Sequence, residues 1–170
     1  VDYHALLVGA LQFAKHQPRH SIVLQREQAP VTLRPEHDVD WQDFLRDAPS
    51  VPPVVVSATA PLYILYTSGT TGKPKGVVRD TGGYLVALAW SMRHIYDTAA
   101  GETFWAASDI GWVVGHSYIV YGPLVQGCTT LLYEGKPVGT PDAGAYWRII
   151  ESHRVATLFT APTAIRAIKR

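Results

Sequence analysis

Residues 62–65 (Leu62, Tyr63, Ile64 and Leu65) are an apolar run that passes without a break into Tyr66, Thr67, Ser68, Gly69, Thr70, Thr71, Gly72, Lys73, Pro74, Lys75 and Gly76. No other junction constrains the fold as much, because a buried strand ends here in a loop of hydroxyls, glycines and lysines with nothing to bury. Glycine lets backbone N–H groups turn toward a polyanion and approach it closely, and hydroxyls add neutral donors. Lys73 and Lys75 supply positive charge at short range. The segment therefore reads as a phosphate-gripping loop. It is not a Walker A loop, since no Gly-x-x-x-x-Gly-Lys-Ser/Thr register fits it, and it is not the Gly-x-Gly-x-x-Gly turn of dinucleotide sites. The plainer alternatives are a flexible Ser/Gly/Thr linker, which seldom follows a buried strand directly, and, for Lys73 alone, a solvated surface lysine.

The rest of the chain alternates strand and helix patterns. Residues 3–16 carry a helical stripe at Leu6, Leu7, Ala10, Leu11 and Ala14, and residues 21–24 a short strand. Residues 26–61 read as loop with one helical turn over 41–45, and the pair Pro52 and Pro53 excludes regular helix there. The strand over 62–66 is apolar on both faces, as a central strand of a covered sheet should be, and 76–79 is its return strand. Thr81 is placed to cap a helix with the stripe Tyr84, Leu85, Leu88, Met92, Ile95 and Tyr96, ending near Gly101. A strand over 103–106 precedes a helix over 112–126 that is interrupted near Gly122 and Pro123. Next come a strand over 129–133 and a helix to His153 that starts on a Thr140 cap with Pro141 in its first turn. A strand over 155–159 and a helix from Pro162 close the chain. Such alternation with short connections implies an α/β fold, a mainly parallel sheet covered by helices.

Composition bounds the function without choosing it. At 170 residues and 47% hydrophobic, the chain is sized for about one domain with one sizeable core. Fifteen basic against fourteen acidic residues leave a formal charge of +1, so nucleic acid and membrane surfaces have no electrostatic footprint here. The single cysteine, Cys128, excludes an internal disulfide, fits a reducing compartment, and reads as a buried small residue rather than a nucleophile. No His or acidic cluster has zinc spacing, so no metal site is expected among these residues. Residues 110–133 carry no Asp, Glu, Lys or Arg, yet four glycines, Pro123, His116 and Gln126 break the ~20-residue apolar run that a membrane span needs. That stretch reads instead as a helix packed deep inside a large protein. Both ends read as cut within helical patterns, and no signal or transit segment is visible.

Thr67 to Gly76 resembles the nucleotide-binding loop of the adenylate-forming superfamily, which includes acyl-CoA synthetases, luciferases and peptide-synthetase adenylation domains. The likeness continues through residues 111–118 (Gly-Trp-Val-Val-Gly-His-Ser-Tyr), 121–124, 133–137 and 160–166, where it is similar to the short-chain branch of acetyl- and propionyl-CoA synthetases. It covers residues 61–170 almost continuously and residues 1–60 more faintly. The resemblance implies part of the large N-terminal domain of an adenylate-forming enzyme. Residues 1–60 would be a peripheral helix, strand and Pro-rich loop, and residues 61–170 the nucleotide-loop and acyl-pocket subregion.

The resemblance also implies ATP, Mg²⁺ and coenzyme A as cofactors, a small carboxylate as substrate, and the rest of the enzyme, including a C-terminal domain, as partner. Thr67, Ser68, Gly69, Thr70, Thr71, Gly72, Lys73, Lys75 and Gly76 would hold the ATP phosphates, with Lys75 and Thr67 the catalytic members. Trp112, Val113 and Val114 would line the acyl pocket, and Val114 and Ala161 would border the CoA arm. Periodicity alone would make these valines ordinary core, and the family match reverses that reading. Acetate enzymes of the family usually have threonine at the position of Val114. This departure, Arg79-Asp80, and residues 138–142 all look like the propionate-type branch.

Gly115-His116-Ser117 lies close to a nucleophile elbow, but Ile119 stands where the second glycine belongs. His116 reads as a structural or orienting residue, hydrogen-bonded in the core, and Asp109 and Glu134 have cap or turn readings. The family's adenine segment, ribose-binding Asp, magnesium glutamate and adenylating lysine are expected beyond Arg170, so the 170 residues alone are expected to form no acyl-CoA. The compartment implied is the cytoplasm, or the mitochondrial matrix in a eukaryote. The alternatives are an ATP-binding fragment without turnover and a peptide-synthetase adenylation module.

Overall fold

A computed structural model describes residues 2–68, 72–136 and 139–169. The chain divides into two compact units, Val1–Val54 and Val55–Arg170.

In the first unit, α1 (Tyr3–Phe13) is capped by the Asp2 carboxylate, which accepts a hydrogen bond from the Ala5 N–H. Two short strands, β1 (Ser21–Val23) and β2 (Asp38–Asp40), pair in parallel, and α2 (Trp41–Leu45) follows directly with Asp40 as its cap. Strand β2 falls inside the stretch read as loop. Its aspartates hide it, because the Asp38 side chain is fully buried yet satisfied. That carboxylate accepts from the Arg34 backbone N–H at 2.8 Å, from the Arg34 guanidinium at 2.7 and 3.0 Å, and from the His4 ring at 2.8 Å. These donors hold its pKa well below the usual carboxylate range.

The second unit holds two sheets. The first is an antiparallel ribbon of β3 (Pro61–Thr67) and β4 (Lys75–Asp80), in which Thr67 pairs with Lys75 and Tyr66 with Gly76. Here the structure departs from the covered central strand expected over 62–66. Among the described residues β3 has only β4 beside it, and Ile64 and Tyr66 are 58% and 70% exposed. The second sheet has the order β6–β5–β7, with β6 (Thr129–Thr130) and β7 (Val155–Thr160) both parallel to the central β5 (Thr103–Ala107). Among the described residues, three of the four strand pairings are thus parallel, in keeping with the α/β class.

Helix α3 (Thr81–His94) links the sheets. Its cap is Asp80, which accepts from the Gly83 N–H, while the expected cap Thr81 spends its hydroxyl on the Ala60 carbonyl. The helix stops before Gly101 because the Thr98 N–H and hydroxyl both take the Met92 carbonyl. Met92 then packs with Phe104, Ala106, Ile119 and Cys128, and Tyr96, Tyr118 and Phe159 close over this core. Cys128 is buried, and burial pushes its thiol pKa up.

Where one helix with a break near Gly122 was expected, three segments run on: α4 (Val113–Gly115), a π-helix (His116–Tyr121) and α5 (Gly122–Gln126). Pro123 has no N–H to give the Ile119 carbonyl, and the Thr130 hydroxyl supplies that bond instead at 2.7 Å. The widening sits one turn ahead of the proline.

Beyond β6, the Leu131 N–H still reaches the Phe104 carbonyl of β5, but residues 132–134 do not extend the strand, and Tyr133 turns onto Trp105 and Tyr146. Helix α6 (Ala145–Ser152) begins later than expected, with Gly144 at its cap position. The Thr140–Pro141 peptide is cis, and Asp142, bonded to the Gly144 N–H and to Arg148, organises the entry. Helix α7 (Pro162–Lys169) starts at the expected proline. No helix among the described residues is long and apolar enough to cross a membrane.

Candidate active site

Because β5 and β7 are parallel, both end on the same side of the sheet, where open α/β sheets place their ligands. A cleft of about 1080 Å³ opens there. One wall is Trp112, Val113 and Val114 at the start of α4, and the other is Ala161, Thr163 and Ala164 at the start of α7. The four residues singled out for the acyl and thiol pockets, drawn from segments far apart in sequence, thus share one cavity.

A tight turn aims the first wall. The Asp109 carboxylate accepts from the Gly111 N–H at 2.7 Å and its carbonyl from the Trp112 N–H at 3.2 Å, which realises the turn reading of this residue. Gly115 is required beneath it, since a Cβ there would lie 2.3 Å from the Asp109 carbonyl oxygen. Trp112 stands at the mouth with 70% of its surface exposed. Glu134 belongs to the lining as well.

The floor is aromatic, and nothing in the linear sequence marks it. Trp105, fully buried, lies 4.7 Å from the Tyr146 ring and 5.7 Å from Tyr133, and those two rings meet edge to face at 5.7 Å. Its indole N–H is buried without a hydrogen-bond partner. Burial, and secondarily Tyr133, push the Tyr146 phenol pKa up, which keeps that hydroxyl neutral.

The loop lies elsewhere. Thr67 and Lys75 face each other as the last pair of the ribbon, and they, Ser68, Gly72, Lys73 and Gly76 are exposed. Gly72 has φ of +75°, a conformation that favours glycine. Gly69, Thr70 and Thr71 lie outside the described residues, as do Pro137 and Val138. None of the described loop residues lines the cleft.

At His116 the expected hydrogen bonding is not found at Nδ1. That atom is buried with no hydrogen-bond partner, and the ring instead meets Tyr63 edge to face at 5.2 Å. Among the described residues, no group of three or more His, Cys, Asp or Glu could hold a metal ion. No step is derived through magnesium.

Residues 4–170 match the model of a family described as AMP-binding enzyme. The chain is 61% identical over its full length to an uncharacterised protein of Pseudomonas aeruginosa, covering 27% of that protein. It is 58% identical to the human mitochondrial acyl-CoA synthetase short-chain family member 3, and 49% identical to the propionate–CoA ligase of Escherichia coli K12. All of this chain aligns in both cases, against 25% and 27% of those proteins, so it spans about a quarter of the length of the curated relatives it matches. Among solved structures, an acetoacetyl-CoA synthetase from Streptomyces lividans superposes with a TM-score of 0.71 at 33% identity, over 81% of this chain and 21% of that one. A Brucella canis acyl-CoA synthetase gives the same TM-score and identity over 83% and 25%.

Proposed function

The chain belongs to the AMP-binding enzyme family, and from that premise we propose that it supplies the phosphate loop and the acyl cleft of an ATP-dependent short-chain acyl-CoA synthetase. In the first half-reaction a carboxylate oxygen attacks the α-phosphorus of ATP, giving an acyl-adenylate and pyrophosphate. In the second, the thiol of coenzyme A attacks the acyl carbonyl, AMP leaves with the bonding electron pair, and the thiol proton is released. Phosphoryl chemistry of this kind asks the protein mainly for positioning and for neutralising phosphate charge. Thr67, Ser68 and the loop amides donate to the phosphates, and Lys73 and Lys75 offset their charge. No side-chain base is needed, because the carboxylate is already ionised at neutral pH.

The observation that carries this reading is the meeting of Trp112, Val113, Val114 and Ala161 in one cleft at the strand ends. Branched valines in a cleft of that kind accept a methyl or ethyl tail and reject long chains by volume. Val114, standing where acetate enzymes have threonine, favours propionate, and the Escherichia coli relative is itself described as a propionate–CoA ligase. The cytoplasm, or the mitochondrial matrix in a eukaryote, is the compartment this reading carries. Competition kinetics on the intact protein test it: propionate is preferred over acetate by a factor of about 10–200 if one methylene is buried cleanly. A preference for acetate or for octanoate overturns the substrate assignment.

A further inference from the structure

Six side chains, from the ribbon, α3 and the π-helix, meet in one cluster, and none of them belongs to the loop or lines the cleft. Tyr63 of β3 donates its hydroxyl proton to the Tyr84 hydroxyl of α3 at 3.0 Å, and Tyr84 is bonded in turn to the Ser117 hydroxyl of the π-helix at 2.7 Å. Either hydroxyl of the Tyr84–Ser117 pair can supply the proton of that bond. Tyr84 and Ser117 are both buried, and burial pushes the Tyr84 phenol pKa far up, so that phenol stays protonated. Ring contacts reinforce the chain. Tyr63 stacks on Tyr121 at 6.0 Å and meets His116 edge to face, and Tyr84 meets Tyr121 at 5.8 Å. From the other ribbon strand, the Arg79 guanidinium sits 5.6 Å over the Tyr84 ring.

The two ends of this chain belong to different parts of the reaction. Tyr63 lies on the strand that delivers Thr67 to the loop, and Ser117 lies on the helix that begins with Val113 and Val114. That helix is weakened where it passes through the π-turn, because Pro123 gives it no N–H, so lateral ties must fix its course. Resting on the synthetase reading above, we propose that Tyr84 is a positioning residue: through the Tyr63–Tyr84–Ser117 hydrogen-bond chain it sets the acyl wall at a fixed distance from the phosphate loop. The carboxylate held by one and the α-phosphate held by the other must come within about 3–3.5 Å in line, and a displacement of about 1 Å costs rate steeply.

Tyr84→Phe in the intact protein keeps the ring and removes the relay. Its kcat with propionate in pyrophosphate exchange falls about tenfold or more, and its preference for propionate over acetate falls. Its KM for ATP stays within about twofold, a split that a merely structural residue would not produce. Ser117→Ala, which cuts the second link only, shifts both readouts in the same direction, and the double variant loses no more than Tyr84→Phe alone, because the Tyr84–Ser117 link is already gone in that variant. An unaltered propionate-to-acetate ratio in Tyr84→Phe, whatever happens to its melting temperature, overturns the proposal. Amide hydrogen exchange reads the tie independently of the chemistry: residues 113–121 exchange faster in Tyr84→Phe, and unchanged exchange there also overturns it. If the wild-type protein exchanges pyrophosphate with no short carboxylate, the synthetase reading fails, and the exchange of residues 113–121 still decides the tie.

Discussion

The β3–β4 ribbon and the β6–β5–β7 sheet sit in the same compact unit and solve opposite problems. In the sheet, Phe104 and Trp105 of β5 are fully buried and the cleft is walled by residues that also pack the fold. In the ribbon, Ile64, Tyr66, Val77 and Val78 are exposed, and the residues proposed to hold phosphate lie at its open end. A cleft is a by-product of packing, so its residues serve stability and binding together. A loop that must release pyrophosphate gains from being held at its base only. The contrast predicts that damage to the sheet is read first as lost stability, and damage to the ribbon as lost chemistry.

The largest effect belongs to Trp105→Ala, which empties the floor of the cleft and costs about 3–5 kcal/mol of unfolding free energy by urea titration. Its counterpart Tyr66→Ala, on the open ribbon, shifts stability by about 0.5 kcal/mol or less. A loss at Tyr66 as large as at Trp105 would break the comparison by showing that the ribbon face is covered in the intact protein.

Two glycines come next. Gly115→Ala drives a Cβ into the Asp109 carbonyl and the Ile110 backbone, costs about 1–3 kcal/mol, and raises the KM for the carboxylate by moving the acyl wall. Gly72→Ala meets no atom within 4 Å and pays only for a left-handed backbone, about 1 kcal/mol, with the effect confined to pyrophosphate exchange.

The smallest effect extends the buried-versus-open contrast to charge. Asp38 is buried among its donors, whereas the Asp142–Arg148 pair is exposed. The Asp38 pKa is depressed in the folded chain, so its stabilisation is complete above the unfolded value of about 4 and is lost as pH falls from there toward the folded value. Asp38→Asn therefore lowers the urea midpoint at pH 6 and flattens its decline between pH 4 and pH 2.5. Asp142→Asn changes the curve little, because an exposed pair is screened by solvent.

Legibility in the sequence divided along the same line. The loop proposed to hold phosphate stands out because its donors and charges are consecutive residues, and the strand over 155–159 and the Pro162 helix start followed from periodicity and proline rules. The ribbon's exposure was not visible, since Leu62, Tyr63, Ile64 and Leu65 look the same to a pattern whether one or two neighbours flank the strand. Strand β2 was hidden because Asp38 is hydrogen-bonded by Arg34 and His4 rather than by solvent. The strand expected over 129–133 was too long because Leu132 and Tyr133 are apolar in order to line a cleft. Trp105, Tyr133 and Tyr146 meet only in three dimensions, and no spacing rule joins them. Pro123 announced a break in its helix, but the π-turn appears only once Thr130 is seen to bond the Ile119 carbonyl.

The division of labour between loop and cleft is tested most directly by Lys75→Ala in the intact protein, assayed in both half-reactions. Carboxylate-dependent pyrophosphate exchange should fall about a hundredfold or more, since a charge aimed at the reacting phosphates is removed. Thioester formation from pre-made propionyl-adenylate and coenzyme A should stay within a few-fold of wild type if, as proposed, that step runs in the cleft walled by Val114 and Ala161. Equal loss in the two half-reactions would contradict the assignment of the loop to adenylation.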